Sequence, residues 1–269
     1  MSKKINLLTI CYVIFLVLLL ASGFLTGVLS EAVYLLSFIL PIALVLFLSK
    51  NEKTERGRYL SISREGIKQT LPLVFPTVSV VIITSFLTSL LIFFISGKTN
   101  NVNIGTSFIG AIISHAVLPA ILEEALFRYL PLRLLAPYSK RGAVLVSAFF
   151  FALIHRNFFT IPYAFIAGVI FMTIDLAADS VIPSVIIHFI NNALSVGMII
   201  YGDNPAFAPV IYSILGVLTI VSVFFIILKR IEYKDMLSSA FEKGEGVKIT
   251  GEMLIFAAMT LTLALLNIL

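Results

Sequence analysis

The residues of this chain that could do chemistry fall in three short stretches. Glu123, Glu124 and Arg128 stand in Leu118-Pro-Ala-Ile-Leu-Glu-Glu-Ala-Leu-Phe-Arg-Tyr129, His155 closes Phe151-Ala-Leu-Ile-His155, and His188 and Asn192 stand in Ile187-His-Phe-Ile-Asn-Asn192. A carboxylate beside an imidazole can take a proton from water. Imidazole and amide N–H groups can hold a developing negative charge. Glu124 and Arg128 are four apart, the spacing of an ion pair on one helix face. That pairing leaves Glu123 unspent, because adjacent residues lie about 100° apart round a helix. His188 and Asn192, also four apart, share a face. Taken singly, each histidine reads as a packing residue and Asn192 as interhelical glue. Taken together, in three helices at one end of the chain's spans, they favour one polar site.

Elements must bring these stretches to one depth. Glu123 and His155 are equidistant from Ser139, in the Pro137–Gly142 turn. A hairpin about that turn puts them level. His188 lies about two turns beyond the Ala178–Ser180 turn, by the same count somewhat shallower than His155.

Composition says what solvent these helices face. Of 269 residues, 59% are hydrophobic and 12% charged, with mean hydropathy +1.08. Soluble chains run about 45–50% apolar and about 25% charged. The arithmetic excludes an ordinary soluble domain, and with one cysteine, Cys11, it excludes a disulfide scaffold. Runs long enough to cross roughly 30 Å of hydrocarbon are Ile5–Leu29, Ala32–Ser49, Leu71–Ser96, Ser107 to about Leu130, Ala143–His155, Phe159–Ala177, Val181–Tyr201, Pro209–Leu228 and Met253–Leu269. The expected fold is an all-α polytopic membrane bundle of eight spans, or nine if the last run also crosses. The retained first run exceeds a signal-peptide core.

Bases collect in alternate loops: Lys3 and Lys4; Lys50, Lys53, Arg56, Arg58, Arg64 and Lys68; Arg133, Lys140 and Arg141; and Lys229 to Lys248. The alternating loops hold only Lys98 and Arg156. This bias predicts a cytoplasmic N-terminus. It accounts for the net charge of +5 without any nucleic-acid partner. Abundant Ile, Phe, Lys and Asn with short loops point to a bacterial plasma membrane. The domain reading is two spans and a basic loop over 1–69, a core membrane domain over 70–228, and a basic segment with a terminal run over 229–269.

The order Glu123-Glu124-x-x-x-Arg128, Phe151-x-x-x-His155, His188-x-x-x-Asn192 resembles the three motifs of the CPBP intramembrane proteases. That family groups type II CAAX prenyl endopeptidases with Abi bacteriocin-processing and immunity proteins, the lysostaphin-resistance-A-like domain. The resemblance implies that Glu123 and His155 activate a hydrolytic water, that His188 and Asn192 bind the oxyanion, and that Glu124 and Arg128 are supports. Phe151 is expected only to pack beside His155. The implied substrate is a membrane-associated peptide or protein, in peptide processing or bacteriocin self-immunity, with a membrane-protein partner conceivable.

No metal is expected to be required. If zinc is used, Glu123, His155 and His188 are its candidate ligands, although the His-Glu-x-x-His signature on one helix is absent. A noncatalytic scaffold or immunity protein is the rival reading. A proton-coupled transporter comes third, since buried Glu, Asp and His also build proton relays. Pro41, Pro76, Pro119, Pro162 and Pro183 interrupt spans, but no paired halves accompany them. His115 is expected to pack, Asp175 and Asp179 to be interfacial, and Cys11 to have no part in the site.

Overall fold

The computed structural model describes residues 1–50, 58–96, 107–158, 160–202, 204–244 and 246–266. Lys53, Arg56 and Lys98 of the charge pattern lie outside them. The described residues form helices and no strand, apart from one isolated parallel bridge between Tyr59 and Ser180. In chain order these are α1 (Ser2–Gly23), α2 (Gly27–Leu48), α3 (Arg64–Ser96), the long composite α4 (Phe108–Leu135), α5 (Lys140–Leu153), α6 (Thr160–Ala178), α7 (Ile182–Tyr201), α8 (Ala208–Leu228), α9 (Arg230–Ala240) and α10 (Gly251–Leu266). Hydrocarbon offers backbone groups no partner, so a span must close its hydrogen bonds within itself.

Each apolar run of the sequence becomes a helix, so the bundle is a multi-pass membrane protein. Fewer candidate crossings than the expected eight or nine are found among the described residues. Among the described residues six helices are long and apolar enough to span, or seven if α8 and α9, bent by 78° at their junction, count as one. Within the described residues α5 and α10 have 14 and 16 residues, short of the roughly 20 that a crossing needs. The reason is packing. Ten of the fourteen α5 residues are buried, so α5 is held inside protein and need not match the bilayer's thickness.

Two short turns set the hairpins around the site. Ser139 opens α5, its Oγ accepting the Gly142 N–H at 2.9 Å, a serine N-cap. α5 then packs along α6 at a crossing of small residues. A Cβ on Gly168 would stand 2.9 Å from the Ala148 Cα, too close for any side chain, so glycine is what lets the two backbones touch. Beyond α6, the Ala178–Val181 turn is strapped by the segment after α2. The Val181 N–H donates to the Tyr59 carbonyl at 2.9 Å, and Arg58 pairs with Asp179 at 3.1 Å. Burial pushes the Tyr59 phenol above its usual pKa.

Prolines in the spans create orphan carbonyls that neighbouring helices fill. A proline has no N–H for the carbonyl four residues before it. Pro131 frees the Phe127 carbonyl, which accepts a hydrogen bond from the Ser147 hydroxyl of α5. Pro76 frees the Pro72 carbonyl, which accepts from the Tyr233 hydroxyl of α9 at 3.4 Å. Pro183 instead falls at the start of α7, where the missing N–H costs nothing.

Candidate active site

α4 is not a uniform α-helix. It widens into a π turn at Ile113–Val117 and again at Ala125–Tyr129, each followed by a proline two residues on, Pro119 and Pro131. Single π turns in α-helices concentrate at functional sites. At the second one the Leu130 N–H reaches back to the Ala125 carbonyl, so the Leu126 carbonyl loses its helical partner. The Tyr12 hydroxyl of α1 donates to it at 3.3 Å. Thus α1 and α5 hold the two freed carbonyls, at Leu126 and Phe127.

This turn carries Arg128 and directly follows Glu124. Both side chains are fully buried and meet at 3.3 Å, Nε to Oε2. The expected i,i+4 pair is present. The guanidinium also lies over the Phe151 ring at 4.2 Å and near Phe171 at 5.6 Å, a cation–π environment. Its Nη1 is 3.4 Å from the Ser147 hydroxyl. A buried charge without a partner is expensive, and here four groups share the work of holding one.

Glu124 has a second partner. Its Oε1 accepts from His188 Nδ1 at 2.7 Å, a charge-assisted contact of short length. His188 Nε2 then faces Glu123, 3.9 Å from its Oε2. Glu123 is the less enclosed carboxylate, its side chain 20% exposed while that of Glu124 is 0%. Tyr34 of α2 and Tyr163 of α6 lie close enough to Glu123 to feel its charge.

His155 stands at the end of α5, half-buried. Its Nδ1–H donates to the Phe151 carbonyl at 2.8 Å. That bond leaves Nε2 of the neutral ring as an acceptor. Its ring packs edge-on against Phe151 at 5.0 Å and lies 6.4 Å from Tyr163, while Phe151 also meets His188 at 6.1 Å. Asn192 is one turn beyond His188, its Oδ1 accepting from Asn191 Nδ2 at 3.3 Å, which leaves its own amide hydrogens to donate.

The structure therefore brings Glu123, Glu124, Arg128 and His188 into one contact string and places His155 against it through Phe151. Glu123 and His155 share no hydrogen bond; the imidazole that Glu123 faces is His188. Among the described residues no three His, Cys, Asp or Glu side chains are grouped to hold a metal ion. Glu123, His155 and His188 are not so grouped.

Residues 105–194 match the Rce1-like family model. Its description is type II CAAX prenyl endopeptidase Rce1-like. The match covers about a third of the chain, from the start of α4 to just past Asn192, and lies within the 70–228 core. Comparison with curated proteins and with solved structures finds no match. The Rce1-like segment holds all six of the candidate residues, but not all that positions them: Tyr12, which holds the Leu126 carbonyl, comes from α1.

Several residues here were not legible beforehand. Phe151 does more than pack beside His155, since its ring contacts His155, His188 and Arg128 together. Ser147 had a readable signal, because Pro131 predicts an orphan carbonyl at Phe127. Asp175 corrects the interfacial expectation: it is fully buried, whereas Asp179, paired with Arg58, is exposed as expected. His115 corrects the packing expectation, being exposed. Cys11 is buried in the α1 core, away from these contacts.

Proposed function

We propose that the chain is an intramembrane endopeptidase that hydrolyses a peptide bond with water activated by Glu123 and His155. The observation that carries this reading is the division of labour between adjacent carboxylates. Glu124 is spent on Arg128 and His188, whereas Glu123 is partly open and faces only His188 Nε2, at 3.9 Å. A carboxylate kept available beside imidazoles is what proton transfer requires.

The steps follow from that arrangement. Water hydrogen-bonds to Glu123 and to the free Nε2 of His155. Glu123 takes its proton as the oxygen attacks the scissile carbonyl. The carbonyl oxygen becomes an oxyanion, to which Asn192 and a doubly protonated His188, through Nε2–H, donate. Glu123 then passes its proton to the leaving amine as the C–N bond breaks. Glu124 fixes the His188 ring by its Nδ1–H, and Arg128 fixes Glu124. Preorganised donors of this kind act strongly where water is sparse. The substrate class is a membrane-associated peptide or protein that reaches a site at the basic, cytoplasmic end of the bundle, in a bacterial plasma membrane. Peptide maturation or bacteriocin self-immunity is the expected setting.

The test is cleavage of a quenched fluorogenic reporter ending in a prenylated Cys-aliphatic-aliphatic-X sequence, with protein reconstituted in liposomes. Wild type is expected to cleave it, and Glu123→Ala and His155→Ala to be inactive while still folded. His188→Ala or Asn192→Ala is expected to lower turnover about 10²–10³-fold, the usual loss for one oxyanion donor. Full activity in purified Glu123→Ala overturns the assignment of Glu123, and a folded wild type that cleaves nothing moves the scaffold reading to first place.

A further inference from the structure

Near the Glu124–His188 contact lies a second fully buried carboxylate, with no part in the reaction above. Asp175, near the end of α6, has 0% exposure. Its Oδ1 accepts the backbone N–H of Ser184 at 3.1 Å. Its Oδ2 is buried and has no hydrogen-bond partner. A carboxylate in such a place is costly, so its presence calls for a return elsewhere in the molecule.

Ser184 shows where that return falls. It is the third residue of α7, whose first N–H groups have no partner within the helix. Its own hydroxyl donates to the Val181 carbonyl at 2.9 Å, closing the turn between α6 and α7. Ser184 also lies against Glu124, and Asp175 is near enough to feel the charges of Glu124 and Arg128. His188 is four residues, one turn, further along the same helix face. The chain of contact runs from Asp175 to Ser184, and from Ser184 along one turn to the imidazole that Glu124 holds. The other side of the turn is strapped by Tyr59 and Arg58, so α7 enters the bundle under two constraints, one buried and one exposed.

We propose that Asp175 is a positioning residue that fixes the first turn of α7 by accepting the Ser184 N–H, and so sets the Glu124–His188 hydrogen bond. Its effect on turnover rests on the hydrolase reading above; its effect on the His188 ring does not. The acceptor is what matters, so an amide of the same shape serves and an apolar side chain of similar size does not.

The experiment uses the full chain in nanodiscs, labelled with ¹⁵N-histidine. The chain has only three histidines, and the His188 ring signals are identified by their loss in His188→Gln. Asp175→Leu is expected to move both His188 ring resonances. On the prenylated reporter it lowers kcat at least about tenfold, since small misplacements of catalytic groups cost this much or more, with KM nearly unchanged. Asp175→Asn restores both readouts. If Asp175→Leu does not fold, amide exchange at Ser184 in Asp175→Asn decides: protection equal to wild type supports the proposal, and fast exchange overturns it. Unmoved His188 signals in a folded Asp175→Leu also overturn it, as does an Asp175→Asn variant as perturbed as the Leu variant. Should wild type cleave nothing, the hydrolase reading falls while the ring signals still judge Asp175.

Discussion

The two π turns of α4 have the same local origin and opposite environments. Each precedes a proline by two residues, and each opens a helix that would otherwise run straight through Phe108–Leu135. At the first, only Ala116 of the five residues is buried, and His115 is exposed. The Ser114 hydroxyl there satisfies only its own helix, donating to the Gly110 carbonyl at 2.8 Å. At the second, Leu126, Phe127, Arg128 and Tyr129 are all buried, and α1, α5 and α7 all send polar contacts to it or to Glu124 beside it. A proline can open a helix by itself. Whether the opening becomes a site depends on what the neighbours do with the groups it frees.

Substitutions at matched positions of the two turns put that contrast at risk. The largest effect is expected at Arg128. Arg128→Ala breaks a fully buried ion pair, leaving Glu124 only His188 as a partner, and should cost about 3–5 kcal/mol of stability, whereas His115→Ala should stay within about 0.5 kcal/mol. Denaturant titration of both variants in nanodiscs checks this, and equal losses would erase the distinction between the turns.

An intermediate effect is expected at Ser147. Ser147→Ala leaves the buried Phe127 carbonyl without its interhelical donor and should cost about 1–3 kcal/mol. The comparator, Ser114→Ala, removes a bond made within one turn and should be near neutral, about 0.5 kcal/mol or less. The same titration reads both. The smallest effect is expected at Tyr12. Tyr12→Phe keeps the ring stack with Phe127, at 5.0 Å between centroids, and loses only the bond to the Leu126 carbonyl, about 1 kcal/mol. A Tyr12→Phe loss as large as that of Ser147→Ala would mean that α1, outside the Rce1-like match, clamps the turn as firmly as α5 does.

Much of the site could be read in one dimension because its parts are local. Glu124 and Arg128 pair at four residues' spacing, a relation that any helix enforces. The hairpin about Ser139 follows from equal arms and a turn-forming sequence. The Ser147 contact was readable in principle from Pro131, since the missing N–H is a property of one residue. By contrast, nothing along α7 signals that the Nδ1 of His188 belongs to Glu124, 64 residues earlier. Asp175 misled for the same reason. Its position near a turn suggested an interface, while its burial depends on how α6, α7 and α4 close over it.

What the sequence determined alone is the solvent and the parts list. Long uncharged runs commit the chain to a membrane, where the backbone must be helical, and six polar residues in those runs commit it to a buried polar cluster. Tertiary structure alone decided the pairing: which carboxylate is consumed, which stays open, and which imidazole faces it. The physical reason is that helix geometry relates residues three or four apart, whereas the rotation and depth of one helix against another are set by side-chain packing over its whole length. A glycine at the α5–α6 crossing, a tyrosine from α1 and a strap across the α6–α7 turn each adjust that packing, and none of them lies within the three motifs.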